Sequence, residues 1–538
     1  MREWWRDAVI YQIYPRSFQD TDGDGIGDLP GITLRLPHVA GLSVDAVWLS
    51  PFFTSPDLDM GYDVSDYTGI NPLFGTLDDF DRLVARAHEL GLRVIIDQVV
   101  SHSSDRHPWF AESRSSRDNP RADWYVWADP RPDGTAPNNW LSVFGGSAWQ
   151  FDPRRRQYYL HNFLTEQPDI NFHCAAAVEA ILGTMRFWLE RGVDGFRLDT
   201  VNFFVHDRRL RDNPQSDWTV FPGNPYEAQN HVRQKTQPEN LDVLRRMRAL
   251  CDSYGEVMMV GEVGEMGRRQ VEIMGEYTRG SDLLHMAYSF AMLSDDQRAG
   301  HFREVIGTFL EVAPDGWPCW SFSNHDVRRH VSRWTRPGGD SDAVARQAIA
   351  LLVSLPGALC LFQGEELGQT ETEIELAEVQ DRTSIAFWPE YKGRDGCRTP
   401  MVWDGEDPQG GFTTGRPWLP VKAPQLARAL SLQEGRAGSV VEAYRAALAF
   451  RRSAAPLRQG GTRFADLPEP LFGIVRSLPG EVMTGVFNLS DVPQVVHLGA
   501  EARLTGPGHA VLEGQALRLP ARGYGFLASA EAVELGIG

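Results

Sequence analysis

Cysteine is scarce in this chain: Cys174, Cys251, Cys319, Cys360 and Cys397 are the only five in 538 residues. An odd number without close spacing excludes a disulfide framework and the paired ligands of a zinc site. It fits isolated, buried thiols in a reducing compartment. Long apolar stretches are also missing. No run approaches the roughly 18 residues of a membrane helix, and the opening "MREWWRDAVIYQIYP" has no basic start ahead of an apolar segment. Neither a membrane span nor a signal peptide is expected, which points to the cytoplasm. Long tracts of Lys and Arg are absent too. With a formal charge of −19, that argues against nucleic acid and anionic membranes as partners.

What is present is material for large cores. Hydrophobic residues make up 42%, and a chain of 538 residues suits two or three domains. Short apolar runs recur, each ending in a polar cluster. They are "AVIYQIYPRSF" from residue 8, "VDAVWLSP" from 44, "LRVIIDQVVSH" from 92 and "VDGFRLDT" from 193. Then come "EVMMVGEV" from 256, "LHMAYSF" from 284, "WPCWSFSNHD" from 317 and "ALCLFQGEE" from 358. Runs apolar throughout fit strands buried on both faces of a parallel sheet. Helical segments lie between them at 77–91, 175–192, 240–255 and 342–357, several ending in glycine, with a last helix at 440–453.

Eight strand–helix units predict an α/β fold, a (β/α)8 TIM barrel, spanning 1–102 and 174–458. Residues 103–173, rich in Trp, Asn, Pro and Gly, read as a subdomain inserted after the third strand. An irregular stretch fills about 370–438. From 459 to 538 the pattern changes to short alternating strands, which predicts a C-terminal antiparallel β domain.

Barrel chemistry sits at the C-terminal strand ends. There the third strand brings Asp97 and His102, the fourth Arg197 and Asp199, the fifth Glu262, and the seventh His325 and Asp326. A lone Asp after a strand is more often a turn or helix cap. Acids from separate strands, each beside another polar group, are harder to read that way, since gathering them is unfavourable without a function.

The motifs around them carry a resemblance. "DQVVSH" (97–102), "GFRLDT" (195–200), "VGEV" (260–263) and "SNHD" (323–326) resemble the core motifs of glycoside hydrolase family 13, the α-amylase family. "QPDINF" (167–172) resembles a fifth motif, and "GRDGCRTPMVW" (393–403) extends the likeness. Within the family the chain is similar to bacterial α-glucosidases and α-glucosyl-transfer enzymes. The resemblance implies Asp199 as nucleophile, Glu262 as general acid/base and Asp326 as transition-state stabiliser. Chemistry agrees, since a retaining glycosidase needs one ionised and one protonated carboxyl. Arg197, on the same strand face as Asp199, is expected to keep it ionised. Glu262 is expected to meet an apolar surround that keeps its proton.

By the same carry-over His102 and His325 bind hydroxyls of the terminal glucose, and Tyr62 stacks under its ring. Asp59 binds O4 and pairs with Arg394. That closes the pocket behind the non-reducing end and implies exo action on short α-glucosides; a surface ion pair is the alternative for Arg394 and Arg398. Thr200, after the nucleophile, leans toward α-1,4 linkages. The glucosyl-enzyme can pass its sugar to water or another hydroxyl acceptor, and 200–239 is expected on the acceptor side. Oligo-1,6-glucosidase, sucrose hydrolase or isomerase and trehalose synthase are the enzyme alternatives. A non-catalytic transporter-associated member would have lost catalytic acids that this chain keeps.

One stretch remains, "DTDGDGIGD" (20–28). Alternating acids separated by glycines can wrap a hard cation. An EF-hand starting at Asp20 needs Glu at its twelfth position, where Gly31 stands, so a calcium sensor is excluded. The resemblance implies a structural clip for one divalent cation, Ca2+ ahead of Mg2+, held by Asp20, Asp22, Asp24, Asp28 and the Ile26 carbonyl. No organic cofactor is expected.

Overall fold

The computed structural model describes residues 3–217 and 224–537. Each of the eight apolar runs forms a strand: β1 Val9–Ile13, β2 Ala46–Leu49, β3 Arg93–Gln98 and β4 Gly195–Leu198, then β5 Met258–Val263, β6 Met286–Ser289, β7 Cys319–Trp320 and β8 Ala358–Phe362. Every residue in them is buried except Arg93 at the start of β3, which is why no polar alternation marks them. All neighbours pair in parallel, in the order β6-β5-β4-β3-β2-β1-β8-β7. A parallel bridge between Ala287 and Pro318 joins β6 to the start of β7 and closes the ring. The predicted TIM barrel is present.

A helix follows each strand: α1 Leu29–Gly41, α2 Leu77–Glu89, α3 Ala175–Leu189 and α4 Asn240–Asp252, then α5 Gly267–Thr278, α6 Ala299–Val312, α7 Ser341–Ser354 and α8 Val440–Ser453. Their ends have identifiable causes. A reciprocal capping box between Thr76 and Asp79 starts α2, and Ser439 caps α8 through the Glu442 amide. Gly91 and Gly192, in the left-handed region at φ 76° and 88°, stop α2 and α3.

Between β3 and α3, strands Trp127–Ala128, Gln157–Leu160 and Trp149–Asp152 form a small antiparallel sheet around Trp140 and Trp149. A bridge from His102 to Asp169 ties this insertion back to the mouth of the barrel, and one from Tyr125 to Ile170 lies within it. After Gly461 the chain forms two antiparallel sheets, of five and four strands, around Leu471, Val486, Leu517 and Leu527. All five cysteines are free, and four are buried. Among the described residues no helix is long and apolar enough to cross a membrane.

Candidate active site

Parallel register stacks the site. Asp97 on β3 lies beside Arg197 on β4, and one level nearer the C-terminal rim Glu262 on β5 lies beside Tyr288 on β6. Arg197, fully buried, reaches three carboxylates at once. Its Nη1 donates to Asp97 at 2.8 Å and to Asp199 at 2.6 Å, while Nη2 is 2.7 Å from Glu262 Oε1. The Tyr288 hydroxyl accepts from Arg197 Nη2 at 3.0 Å and donates to Glu262 Oε1 at 2.8 Å. Thr200 joins the two outer acids: its amide donates to Glu262 Oε2 and its hydroxyl to Asp199 Oδ2, both at 3.3 Å. Its left-handed backbone, φ 41°, turns the chain sharply where β4 ends.

The electrostatics differ from the expectation in two ways. Arg197 does not serve Asp199 alone, and burial outweighs it, pushing the Asp199 carboxyl up to about 7. Glu262 does not sit in an apolar surround. It touches a guanidinium and a phenol, and its rise to about 7 comes first from burial, with Asp199 and Asp326 adding repulsion. Three buried acids on one guanidinium cannot all be charged cheaply, so a proton is retained in the group. Asp326 behaves oppositely. Burial would raise it, but the His325 ring, Arg398 and Arg394 hold it well below the usual carboxylate range.

Arg394 closes the far end. It lies 2.8 Å from Asp59, 3.3 Å from Asp326 and 2.9 Å from Asp381. Arg398 Nη2 is 2.9 Å from Asp326 and its side chain is wholly inaccessible, so neither arginine belongs to a surface pair. Asp59 is presented by a loop folded around Asp63, whose carboxylate accepts from the Leu58 and Asp59 amides. Gln167, in the "QPDINF" stretch, donates to Asp59 at 3.1 Å.

The histidines are engaged by protein groups. Gln12 donates to His325 Nδ1 at 2.8 Å, leaving its other nitrogen 2.5 Å from the Tyr62 hydroxyl, which in turn donates to Asp97. Tyr62 and His325 stack with ring centroids 5.2 Å apart. His102 contacts the Ser101 hydroxyl at 2.9 Å and the Tyr62 carbonyl at 3.0 Å, and burial pulls its pKa down to about 4, so it is neutral. Asp59, Tyr62, His102, Asp199, Glu262 and Asp326 all face a cavity of about 410 Å3; Arg197 and His325 stand behind its wall. Phe144, Phe163, Phe203, Tyr226, Phe290 and Tyr391 line the same cavity.

A family model for the α-amylase catalytic domain matches residues 12–460. This chain belongs to the α-amylase family. Within that family it is 57% identical to a probable alpha-glucosidase of Rhizobium meliloti over 497 residues, covering 91% of this chain and 90% of that one. It is 38% identical to an oligo-1,6-glucosidase of Heyndrickxia coagulans over 472 residues, 81% and 83% of the two chains. The crystal structure of the alpha-glucosyl transfer enzyme XgtA superposes with a TM-score of 0.95 at 51% identity, over 98% of this chain and all of that one.

Several residues of this family member gave little sign of themselves in the sequence. Tyr288 lies inside an apolar strand, and only its register beside Glu262 brings it to the site. Asp381 sits 13 residues before Arg394 in irregular chain. Gln167 was within a recognised motif, and that was the one available signal.

The acid loop lies between β1 and α1. Carboxylate oxygens of Asp20, Asp22 and Asp28 approach within 4.8 Å of one another, whereas Asp24 stands outside that group. Asp24 Oδ1 instead accepts from the Ile26 amide at 2.7 Å. Asp28 also caps α1 through the Gly31 amide. Glycine is required at 25: at φ 92°, an added Cβ would stand 1.9 Å from the Arg416 carbonyl. Of the expected acceptor-side stretch 200–239, residues 218–223 lie outside the described residues.

Proposed function

We propose that this chain is a retaining, exo-acting α-glucosidase that releases α-glucose from the non-reducing end of short α-glucosides and transfers it to hydroxyl acceptors. The observation that carries the reading is the pairing of Asp199 and Glu262 on one buried guanidinium, inside a cavity whose end is blocked by the Asp59–Arg394 ion pair. A blocked pocket admits a chain end and leaves no path for a polymer to pass through.

Asp199 attacks the anomeric carbon while Glu262 gives its proton to the departing oxygen. Both protonation states needed for that step come from one group sharing a proton around Arg197. Asp326, held ionised by Arg398 and Arg394, accepts sugar hydroxyls as the ring flattens toward an oxocarbenium ion. Glu262, now a base, then takes a proton from water or from an acceptor alcohol, and the glucosyl–Asp199 ester is broken with net retention. Thr200, between the two acids, inclines the enzyme to α-1,4 bonds. The family relative named an oligo-1,6-glucosidase keeps isomaltose as the alternative substrate.

The acid loop fits a hard cation. Asp20, Asp22 and Asp28 converge as an oxygen set suited to Ca2+; Asp24, which stands outside that group, and the Ile26 carbonyl would have to turn inward to complete it. Its place is structural.

A proton NMR time course with maltose, read before mutarotation, tests the reading. Release of α-glucose first, with new glucosyl-maltose signals, is expected. β-Glucose first would remove Asp199 as nucleophile. Unchanged maltose beside cleaved isomaltose would replace the α-1,4 assignment.

A further inference from the structure

Lys235 is one of three lysines in the chain, and it lies in the wall of the active-site cavity with 3% of its side chain exposed. Its ammonium donates to the Gly264 carbonyl at 2.7 Å and stands 3.4 Å from Glu265 Oε2. The faces of Phe203 and Tyr226 lie 4.9 and 5.7 Å from Nζ. All four of these neighbours also line the cavity. An aromatic cradle of this kind would be filled more favourably by Met or Leu, since burying an ammonium is expensive unless its protons find partners. An ammonium has three N–H donors. Two have acceptors here, and among the described residues the third has no hydrogen-bonded protein acceptor.

Position decides what the third donor can meet. Gly264 and Glu265 follow Glu262 after Val263, and Asn202 clamps Gly264 from both sides, accepting from its amide at 3.0 Å and donating to its carbonyl at 3.2 Å. The terminal glucose occupies the end closed by Asp59 and Arg394. The proton donor faces the glycosidic oxygen, so the wall just past Glu262 faces the group on the other side of that oxygen.

We infer that Lys235 is a specificity-determining residue that donates a hydrogen bond to a hydroxyl of the leaving sugar, and to the same hydroxyl of a sugar acceptor in transfer. This rests on the α-glucosidase reading above. Charge-assisted bonds of this type change a rate constant by about ten- to a hundredfold when lost. The partner is a polyol: a nitrophenyl leaving group has no hydroxyl, and its nitro oxygens are far weaker acceptors.

The test compares maltose with 4-nitrophenyl α-glucoside in wild type and Lys235→Met. Expected is a fall in kcat/KM for maltose of about ten- to a hundredfold, with the nitrophenyl substrate changed less than about threefold. Glucosyl transfer to added glucose should fall while transfer to ethanol persists. Parallel losses on both substrates would make Lys235 a mere support for the Gly264 turn and overturn the inference, as would no loss on either. Should the variant not fold, monodeoxy maltoses altered in the reducing-end sugar are assayed with the wild type. One position should lose about tenfold or more, and uniform rates would refute the contact. Failure of wild type on every donor would defeat the α-glucosidase reading itself, a distinguishable result.

Discussion

Replacing Tyr288 with Phe removes one hydroxyl and tests how Glu262 keeps its proton. That hydroxyl donates to Glu262 Oε1 at 2.8 Å, an interaction that favours the ionised acid. Hydrogen bonds to charged groups are worth about 1.5–3 kcal/mol, and one pKa unit corresponds to about 1.4 kcal/mol. Complete loss would therefore raise Glu262 by about one to two units. Arg197 Nη2, 2.7 Å from the same oxygen, remains and takes over part of the stabilisation, so a rise of about one unit is expected.

In the proposed mechanism Glu262 works as an acid, so the alkaline limb of kcat/KM follows its proton and should move upward by that amount. The acid limb reports the ionisation that makes the nucleophile. Tyr288 makes no bond to Asp199, so that limb should stay within about half a unit. The assay is kcat/KM for 4-nitrophenyl α-glucoside from about pH 5 to about pH 10. An alkaline limb that stays fixed, or moves down, would refute the assignment of Glu262 as the proton donor.

Asp199→Asn and Glu262→Gln should each lower maltose kcat/KM by about a thousandfold or more, with thermal unfolding little changed. Asp381→Asn loosens Arg394 and should raise the maltose KM about tenfold with a smaller effect on kcat, measured by initial rates. Chelation should lower the melting temperature by several degrees, calcium should restore it, and Asp20→Ala should abolish that response in calorimetry. Thr200→Val should shift the ratio of isomaltose to maltose cleavage upward; an unchanged ratio would remove Thr200 from linkage selection.

The barrel was legible because strands buried on both faces must be written as unbroken apolar runs, and all eight such runs became strands. Helices were less uniform. α1 carries Pro30 and an interior Pro37, and α5 begins at a glycine with no side-chain cap, so neither announces itself by propensity. The acids were readable because they close strands. Their shared charge was not, since the reach of Arg197 to Glu262 comes from β4–β5 packing and not from spacing along the chain. Asp381 shows the same limit: an irregular segment with no period gives no hint of what its loop will meet.

The acid loop is folded against a wall that arrives almost 400 residues later. Asp20 donates its amide to the Phe412 carbonyl at 2.9 Å and accepts from the Thr413 hydroxyl, while the Trp418 amide donates to Gly25 at 3.0 Å. During synthesis, then, this early turn has no mould until nearly four-fifths of the chain has emerged. Contacts over so long a span form later than local ones, because distant parts of the chain must be brought together first. A ribosome-stalled chain ending before residue 412 should leave Asp20–Asp28 open to protease even if its neighbouring strands have paired. The first turn of the barrel is thus a late signature of its completion.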